Sequence, residues 1–364
     1  MHIETQILTS YIVKIRQLLW TIPLFATLYS CEKIGGQDDE PAATAGTYIL
    51  NNGNWGDNDA NIGIYDPATK TYVPDAFLAT NNQKLGDLGQ DILVAGEEAY
   101  IAVNGSQTIW ITDSDLKIKA QVNAEADGAR LSPRYLVEAR EKVYVTYYEG
   151  YVGEISSPDY SVRICPVGPN PEGLAIAGDK IYVAASGGMS FPTYNNTVSV
   201  VSLDSFTETD SFEVNVNPTK VEVSSNGKYV YISSFGNYAD APAKLQVYNV
   251  STGVVSDLEY SSVSAIAKGA NNILYILCGG YDENFNPLPG SIYKHDMDSN
   301  TALGAFVTDS TTLPNAYSIS VGRDGYVYVG CSDYLNTGDI YVFTPEGKLH
   351  DSFDSCGMNP TKAY

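Results

Sequence analysis

Asn217-Pro218-Thr219-Lys220-Val221-Glu222-Val223 is followed, after Ser225-Asn226-Gly227-Lys228, by Tyr229-Val230-Tyr231-Ile232-Ser233-Ser234. A further loop leads to Leu245-Gln246-Val247-Tyr248-Asn249-Val250 and then, past Ser251-Thr252-Gly253, to Val254-Val255. Each piece is a short run rich in β-branched and aromatic residues, bounded by Asn, Ser and Gly. Such runs read as strands, because alternating side chains suit a pleated surface and the flanking residues suit tight turns. Four strands joined by short turns make one antiparallel unit.

The same order recurs on both sides. Asn170-Pro171-Glu172-Gly173-Leu174 leads to Lys180-Ile181-Tyr182-Val183-Ala184 and then Val198-Ser199-Val200-Val201. Ser132-Pro133-Arg134-Tyr135 leads to Lys142-Val143-Tyr144-Val145-Thr146-Tyr147, and Asn315-Ala316-Tyr317 to Tyr326-Val327-Tyr328-Val329. Weaker copies open near Gly89-Gln90-Asp91 and Ser262-Val263-Ser264. From Pro133 the openings step to Pro171, Pro218, Val263, Asn315 and Pro360, at intervals of 38, 47, 45, 52 and 45 residues. Four-stranded repeats of this length predict the blades of a β-propeller. Asn359-Pro360-Thr361-Lys362 repeats the opening of the Pro218 unit, whereas the unit beginning Thr47-Tyr48-Ile49-Leu50 lacks one. The last strand is therefore expected to complete the first blade, which removes the open edge of an unclosed array. The expectation is an all-β, seven-bladed propeller of four-stranded blades over residues 46–364, with six or eight blades if a weak repeat is misread.

The first residues read differently. Lys14 and Arg16 precede the apolar run Leu18 to Leu28, which has the length of a signal-peptide core and is too short to span a bilayer. Leu28-Tyr29-Ser30-Cys31 resembles a lipobox, so residues 1–30 are expected to be a lipoprotein signal and Cys31 the lipidated residue. A diacylated Cys gives stable anchoring. Residues 31–45, with Glu32, Asp38, Asp39 and Glu40, read as a flexible acidic tether. The expected location is the outer membrane, lipid-anchored and facing outward.

Over 364 residues the formal charge is −22, and cleavage before Cys31 would leave one unit more. Such a chain repels phosphate backbones, which argues against nucleic acid as a partner. His295 and His350 are the histidines after the cleavage point, and Cys165, Cys278, Cys331 and Cys356 form no Cys-x-x-Cys pair. That leaves little for His-based acid–base chemistry or for zinc, and no disulfide pairing can be read from spacing.

The pattern Asn-Pro, then Gly-Lys, then Val-Tyr-Val or Tyr-Ile-Ser, best seen at Tyr144-Val145-Thr146-Tyr147 and Tyr229 to Asn237, resembles the YVTN or YncE-like propellers, also called surface-layer-type repeats. It covers nearly all of the chain after the tether. With the lipobox, the acidic tether, the Asn51-Asn52-Gly53-Asn54-Trp55-Gly56 opening and Tyr-rich loops, the chain is similar to the BtuG-type surface lipoproteins of Bacteroides. That resemblance implies capture of cobalamin (vitamin B12) or another corrinoid, and its transfer to a BtuB-like TonB-dependent outer-membrane transporter. A corrinoid would be a ligand, with no cofactor implied.

In a propeller blade the loops between the second and third strands share a face with the blade-to-blade connections, and long loops are where function concentrates. The candidate ligand-binding residues are Asn54, Trp55 and Asp57; Tyr147, Tyr148 and Tyr151; Phe191, Tyr194 and Asn196; Phe235, Asn237 and Tyr238; Tyr281 and Phe285; and Tyr334. Rings supply broad contact at low entropic cost and amides supply direction, which suits a corrin, a glycan or a protein loop. Packing of the same rings onto the blades is the plainer alternative. Asp57-Asn58-Asp59-Ala60-Asn61 and Asp282-Glu283-Asn284-Phe285-Asn286 have the oxygen spacing of calcium loops without the full pattern, and ordinary Asx turns serve equally. The chain contains neither His-Glu-x-x-His nor Gly-x-Ser-x-Gly, and no phosphate-binding Gly-rich loop. Binding without catalysis is the expectation; a glycan-binding or scaffold propeller, or a hydrolase or lyase using loop carboxylates such as Asp57 and Asp333, are the alternatives.

Overall fold

The computed structural model describes residues 46–281 and 287–364. The expected signal, lipobox, Cys31 and tether lie outside the described residues. In chain order the strands begin with β1 (Thr47–Asn51), β2 (Asn61–Asp66) and β3 (Thr71–Val73), followed by a short helix α1 (Ala76–Asn81). Next come β4 (Gly89–Ala95), β5 (Glu98–Val103), β6 (Thr108–Thr112) and β7 (Ile118–Val122), then a two-stranded hairpin, β8 (Glu125–Ala126) with β9 (Ala129–Arg130). Then follow β10 (Pro133–Ala139), β11 (Lys142–Tyr147), β12 (Tyr151–Ser156), β13 (Ser161–Pro166), β14 (Pro171–Ala177), β15 (Lys180–Ala185), β16 (Thr197–Ser202) and β17 (Thr207–Glu213). After these are β18 (Pro218–Val223), β19 (Tyr229–Ser234), β20 (Lys244–Asn249), β21 (Val254–Asp257), β22 (Val263–Lys268), β23 (Ile273–Tyr281), β24 (Pro287–Asp296) and β25 (Thr301–Ala305). The last are β26 (Ala316–Val321), β27 (Val327–Cys331), β28 (Asp339–Phe343), β29 (Leu349–Asp354) and β30 (Pro360–Ala363).

These strands form seven four-stranded antiparallel sheets, one per blade, and the innermost strands β4, β10, β14, β18, β22, β26 and β30 neighbour one another in a closed ring. The first blade has the order β3-β2-β1-β30, so the C-terminal strand closes the ring as the repeat pattern predicts. Ile49 faces Ala363 and Asn51 faces Pro360, and Tyr48 and Tyr364 exchange both backbone hydrogen bonds at 3.0 Å. Gly330 is required at this seam, because a Cβ there would collide with the Pro360 carbonyl. The helix α1 and the β8–β9 hairpin were not foreseen; both lie in connections between blades.

Burial follows strand position. The second strands β5, β11, β15, β19 and β27 are buried almost along their length, since both sheet faces pack against neighbouring blades. Fourth strands such as β17 (Thr-Glu-Thr-Asp-Ser-Phe-Glu) and β25 are exposed, and charged residues on β17 protect it as an edge. The tyrosine in the Val-Tyr-Val core of each repeat is therefore structural: Tyr100, Tyr144, Tyr182, Tyr231, Tyr275 and Tyr328 are all buried. Several keep a partner for the hydroxyl, as a buried phenol requires: Tyr144 donates to Glu154 and Tyr231 to the Met297 carbonyl.

The Asn-Pro opening also has a physical reason. Asn170, Asn217, Asn315 and Asn359 have φ between 47° and 60°, and Leu88 and Ser262 share that left-handed conformation. Asn tolerates it better than most residues. A proline then fits the first position of the strand, where its missing N–H costs least. Every innermost strand carries a β-bulge immediately afterwards, so its second and third residues oppose a shortened stretch of the next strand. Bulges re-aim side chains.

Cys165, Cys278 and Cys331 lie in three different blades, buried and not bonded to one another. Burial pushes the Cys278 thiol up to about 11 and the Cys331 thiol to about 12, with Asp339 adding to the latter, so both stay protonated.

Candidate functional site

One backbone hydrogen bond recurs in all seven blades. A residue just past the second strand, or in β23 near its end, donates to the carbonyl just before the innermost strand: Asn52 to Asn359, Asn104 to Leu88, Tyr148 to Ser132, Ser186 to Asn170, Phe235 to Asn217, Gly279 to Ser262 and Ser332 to Asn315, at 2.8–3.1 Å. This places the second-to-third-strand loops and the blade connections on one face. Asn170 adds side-chain ties, donating to the Tyr148 carbonyl at 2.9 Å and accepting from the Met189 N–H at 3.2 Å.

The exposed large apolar side chains divide into two sets. Val73, Val254, Leu303 and Leu349 lie on fourth strands. Trp55, Met189, Phe191, Phe235, Tyr238, Tyr334 and Leu335 all lie on the loop face. Four of these belong to the adjacent loops 186–196 and 235–243. Phe191 meets Tyr194 edge-on with centroids 6.0 Å apart, and Tyr194 meets Tyr238 likewise at 6.2 Å. Phe191 is 70% and Tyr238 72% exposed. Tyr148 comes up beside them from the preceding blade, its hydroxyl against Gly188. Its ring also receives the Arg134 guanidinium at 5.0 Å.

Other candidates fall elsewhere. Tyr147 ends β11 buried in the core and does not reach the loop surface; Tyr151 begins β12 packed against the same core. The period-2 alternation explains Tyr147, since adjacent residues at a strand end point to opposite sides. Asn237 is spent on its own turn: its Oδ1 accepts from the N–H groups of Ala239 and Ala241 and its Nδ2 donates to Asp240. Asn196 is half-buried immediately before β16. In the first blade Trp55 stands 83% exposed, Asp57 is exposed, and the Asn54 N–H donates to Asp59 Oδ1, which ties the two sides of this loop together. Tyr334 meets Tyr317 edge-on at 5.7 Å. On either side of residues 282–286 the chain is strand rather than loop, since β23 and β24 stay paired out to Tyr281 and Pro287. Phe285, Asp282 and the Tyr281 side chain lie outside the described residues.

The sequence reading missed the ring axis. The bulges turn charged residues of the innermost strands toward one another. Arg134 Nε and Nη2 both donate to Glu172 Oε2, at 2.9 and 2.6 Å, and Nη1 donates to Gln90 Oε1 at 2.8 Å. Lys362 Nζ lies 3.5 Å from Asp91 Oδ1, and Asp91 Oδ2 accepts the Leu136 N–H at 2.9 Å. Lys220 Nζ stands 3.5 Å over the centre of the Tyr135 ring. Burial pulls Lys220 down to about 8, aided by Lys362 and opposed by Asp91, Glu222 and Glu172. Burial alone would lower Lys362, but Asp91 and Glu222 outweigh it and hold its pKa high. The signal was present as charge one or two residues after each repeat's proline, on strands expected to be innermost. Among the described residues no three His, Cys, Asp or Glu side chains converge as a metal site would require.

No family model matches the chain, and no curated protein matches its sequence. Solved structures match its shape. A candidate 6-phosphogluconolactonase from Bacteroides fragilis is similar over 90% of this chain and 100% of its own, with a TM-score of 0.61 at 14% identity. Its counterpart from Bacteroides uniformis covers 88% of this chain and 99% of its own, with a TM-score of 0.60 at 13% identity. The dihydro-heme d1 dehydrogenase NirN covers 88% and 75%, with a TM-score of 0.54 at 11% identity. At these identities the likeness shows the fold alone. Function has to be argued from the site.

Proposed function

We propose that this protein is a ligand-capture propeller, held at the outer membrane through Cys31, whose ligand is a corrinoid such as cobalamin and whose recipient is a TonB-dependent outer-membrane transporter. The observation that carries the binding part is the aromatic patch of Phe191, Tyr194, Tyr238 and Phe235 on one face. Clustered exposed rings are costly to leave in water and mark binding surfaces. The corrinoid part rests on the resemblance to the BtuG-type lipoproteins and on chemistry. A flat macrocycle offers apolar faces to these rings, and its amide fringe suits the exposed backbone and polar side chains around them. Capture needs no reacting group, which agrees with the absence of nucleophile motifs in the sequence.

Titration of the purified protein with cyanocobalamin tests this. The expected result is one-to-one binding with a Kd below about 1 μM, which corresponds to about 8 kcal/mol. Phe191→Ala with Tyr238→Ala should weaken it by about 30-fold or more. Absence of binding at about 100 μM would sink the corrinoid reading and send the same protein to a glycan array.

A further inference from the structure

We infer that the axis of the propeller holds a second site, an oxyanion subsite centred on Lys220 that takes a carboxylate or phosphate group. It is separate from the loop-face patch and does not depend on the corrinoid reading.

Lys220 carries the inference. Among the described residues its ammonium makes no hydrogen bond and no ion pair, and its sole close partner is the face of Tyr135 at 3.5 Å. An ammonium has three donors, and a ring face satisfies none of them as an oxygen would. The other cations of the axis are engaged. Arg134 is held by Glu172 and Gln90, Lys362 by Asp91, and Lys268 donates to the Val223 carbonyl at 2.7 Å. Burial pushes the Glu222 carboxyl up, toward its neutral form, against the pull of Lys362, Lys220 and Lys268. Arg134, Lys220, Lys362 and Lys268 face Asp91, Glu172 and Glu222, so four cations stand against three carboxylates, a formal excess of one positive charge. This local excess lies inside a chain whose formal charge is −22.

The site is built rather than incidental. Lys220 from β18 reaches Tyr135 on β10 across the intervening strand β14, where the corresponding residue is Gly173 with no side chain in the way. A Cβ at Gly173 would stand 3.0 Å from both the Lys220 Cα and the Thr219 carbonyl, so glycine also permits the strands' close approach. The Lys362 side chain is 32% exposed, which shows that the axis admits solvent. A single oxyanion would supply the acceptors Lys220 lacks, with Arg134 and Lys362 lending long-range attraction.

The test titrates the purified protein with inorganic phosphate and, separately, with acetate, following heat of binding and melting temperature near pH 7. Saturable binding of either anion in the millimolar range or tighter is expected, and the stronger arm identifies the group. Lys220→Met should weaken binding at least about tenfold, while Lys220→Arg retains it. Lys220→Met should also melt higher than the parent without anion, because it removes a half-buried charge that no protein oxygen partners among the described residues. Acetate binding should fade as pH rises past about 8, where Lys220 loses its proton with Lys362, Arg134, Asp91, Glu172, Glu222 and Tyr135 as its charged and titratable surroundings. Phe191→Ala with Tyr238→Ala should leave anion binding unchanged. No saturable binding by about 10 mM, or equal binding by Lys220→Met, overturns the inference.

Discussion

His295 is 3% exposed, with Nδ1 at 3.1 Å from the Tyr260 hydroxyl and Nε2 at 2.9 Å from Asn300 Oδ1. A neutral ring satisfies both contacts, with Nε2–H donating to Asn300 and Nδ1 accepting from Tyr260. Burial lowers its pKa below the ordinary 6.5, against the Asn300 hydrogen bond and Asp296. The unfolded chain therefore takes up a proton before the folded one does. The stability this group contributes is present above the unfolded value and is lost as pH falls from about 6.5 toward the depressed folded value. Urea midpoints measured from about pH 7.5 to 5 should fall more steeply for the parent than for His295→Gln. Parallel pH profiles would show that His295 is not held neutral. None of this was legible in the sequence, where one isolated histidine in a strand says nothing of its neighbours.

The junction before each innermost strand is the element on which the loop face depends. At Asn170 one residue adopts φ 47°, ties the Tyr148 carbonyl and receives the Met189 N–H. Asn170→Ala should cost about 1–2 kcal/mol from the left-handed backbone, with a further loss from the severed ties. Asn170→Gly keeps the backbone and loses only the ties, so it should recover part of the melting temperature while loop 186–196 gains amide exchange. Equal melting of Ala and Gly variants would refute the backbone part. The Asn-Pro repeat was legible at once, because the same local conformation demands the same residues each time. The bulge that follows was not, since a bulge is defined by the partner strand. For the same reason Arg134, Glu172, Lys220 and Lys362 went unremarked as a group. Tyr147 was misplaced because two adjacent tyrosines at a strand end look alike until the strand's inward face is known.

At the scale of the whole molecule, closure is non-local: Pro360 to Ala363 complete a sheet begun at Thr47. Removing residues 360–364 should leave β1 with an unpaired inner edge and open the contacts of the last blade with the first. A domain's net stability is only about 5–15 kcal/mol, so loss of a buried innermost strand should abolish cooperative melting. Gel filtration should show expansion, and a peptide spanning residues 355–364 added in trans should restore a sharp transition. A truncated protein that melts as the parent does would mean the ring does not need its seam.

The sequence by itself determined the blade, the repeat interval, the shared first blade and the rim of aromatic loops, because strands, turns and left-handed asparagines are governed by neighbours in the chain. It also determined that the repeated Tyr would sit in strands. The tertiary structure decided which rings meet, as Phe191, Tyr194 and Tyr238 do across two blades, and which are core, as Tyr147 is. It alone brought Lys220 over Tyr135 and, among the described residues, gave its ammonium no hydrogen-bonding oxygen. Electrostatic pairing falls off with distance in space and takes no account of separation along the chain, so charges a blade or more apart in sequence become one site only when the ring has closed.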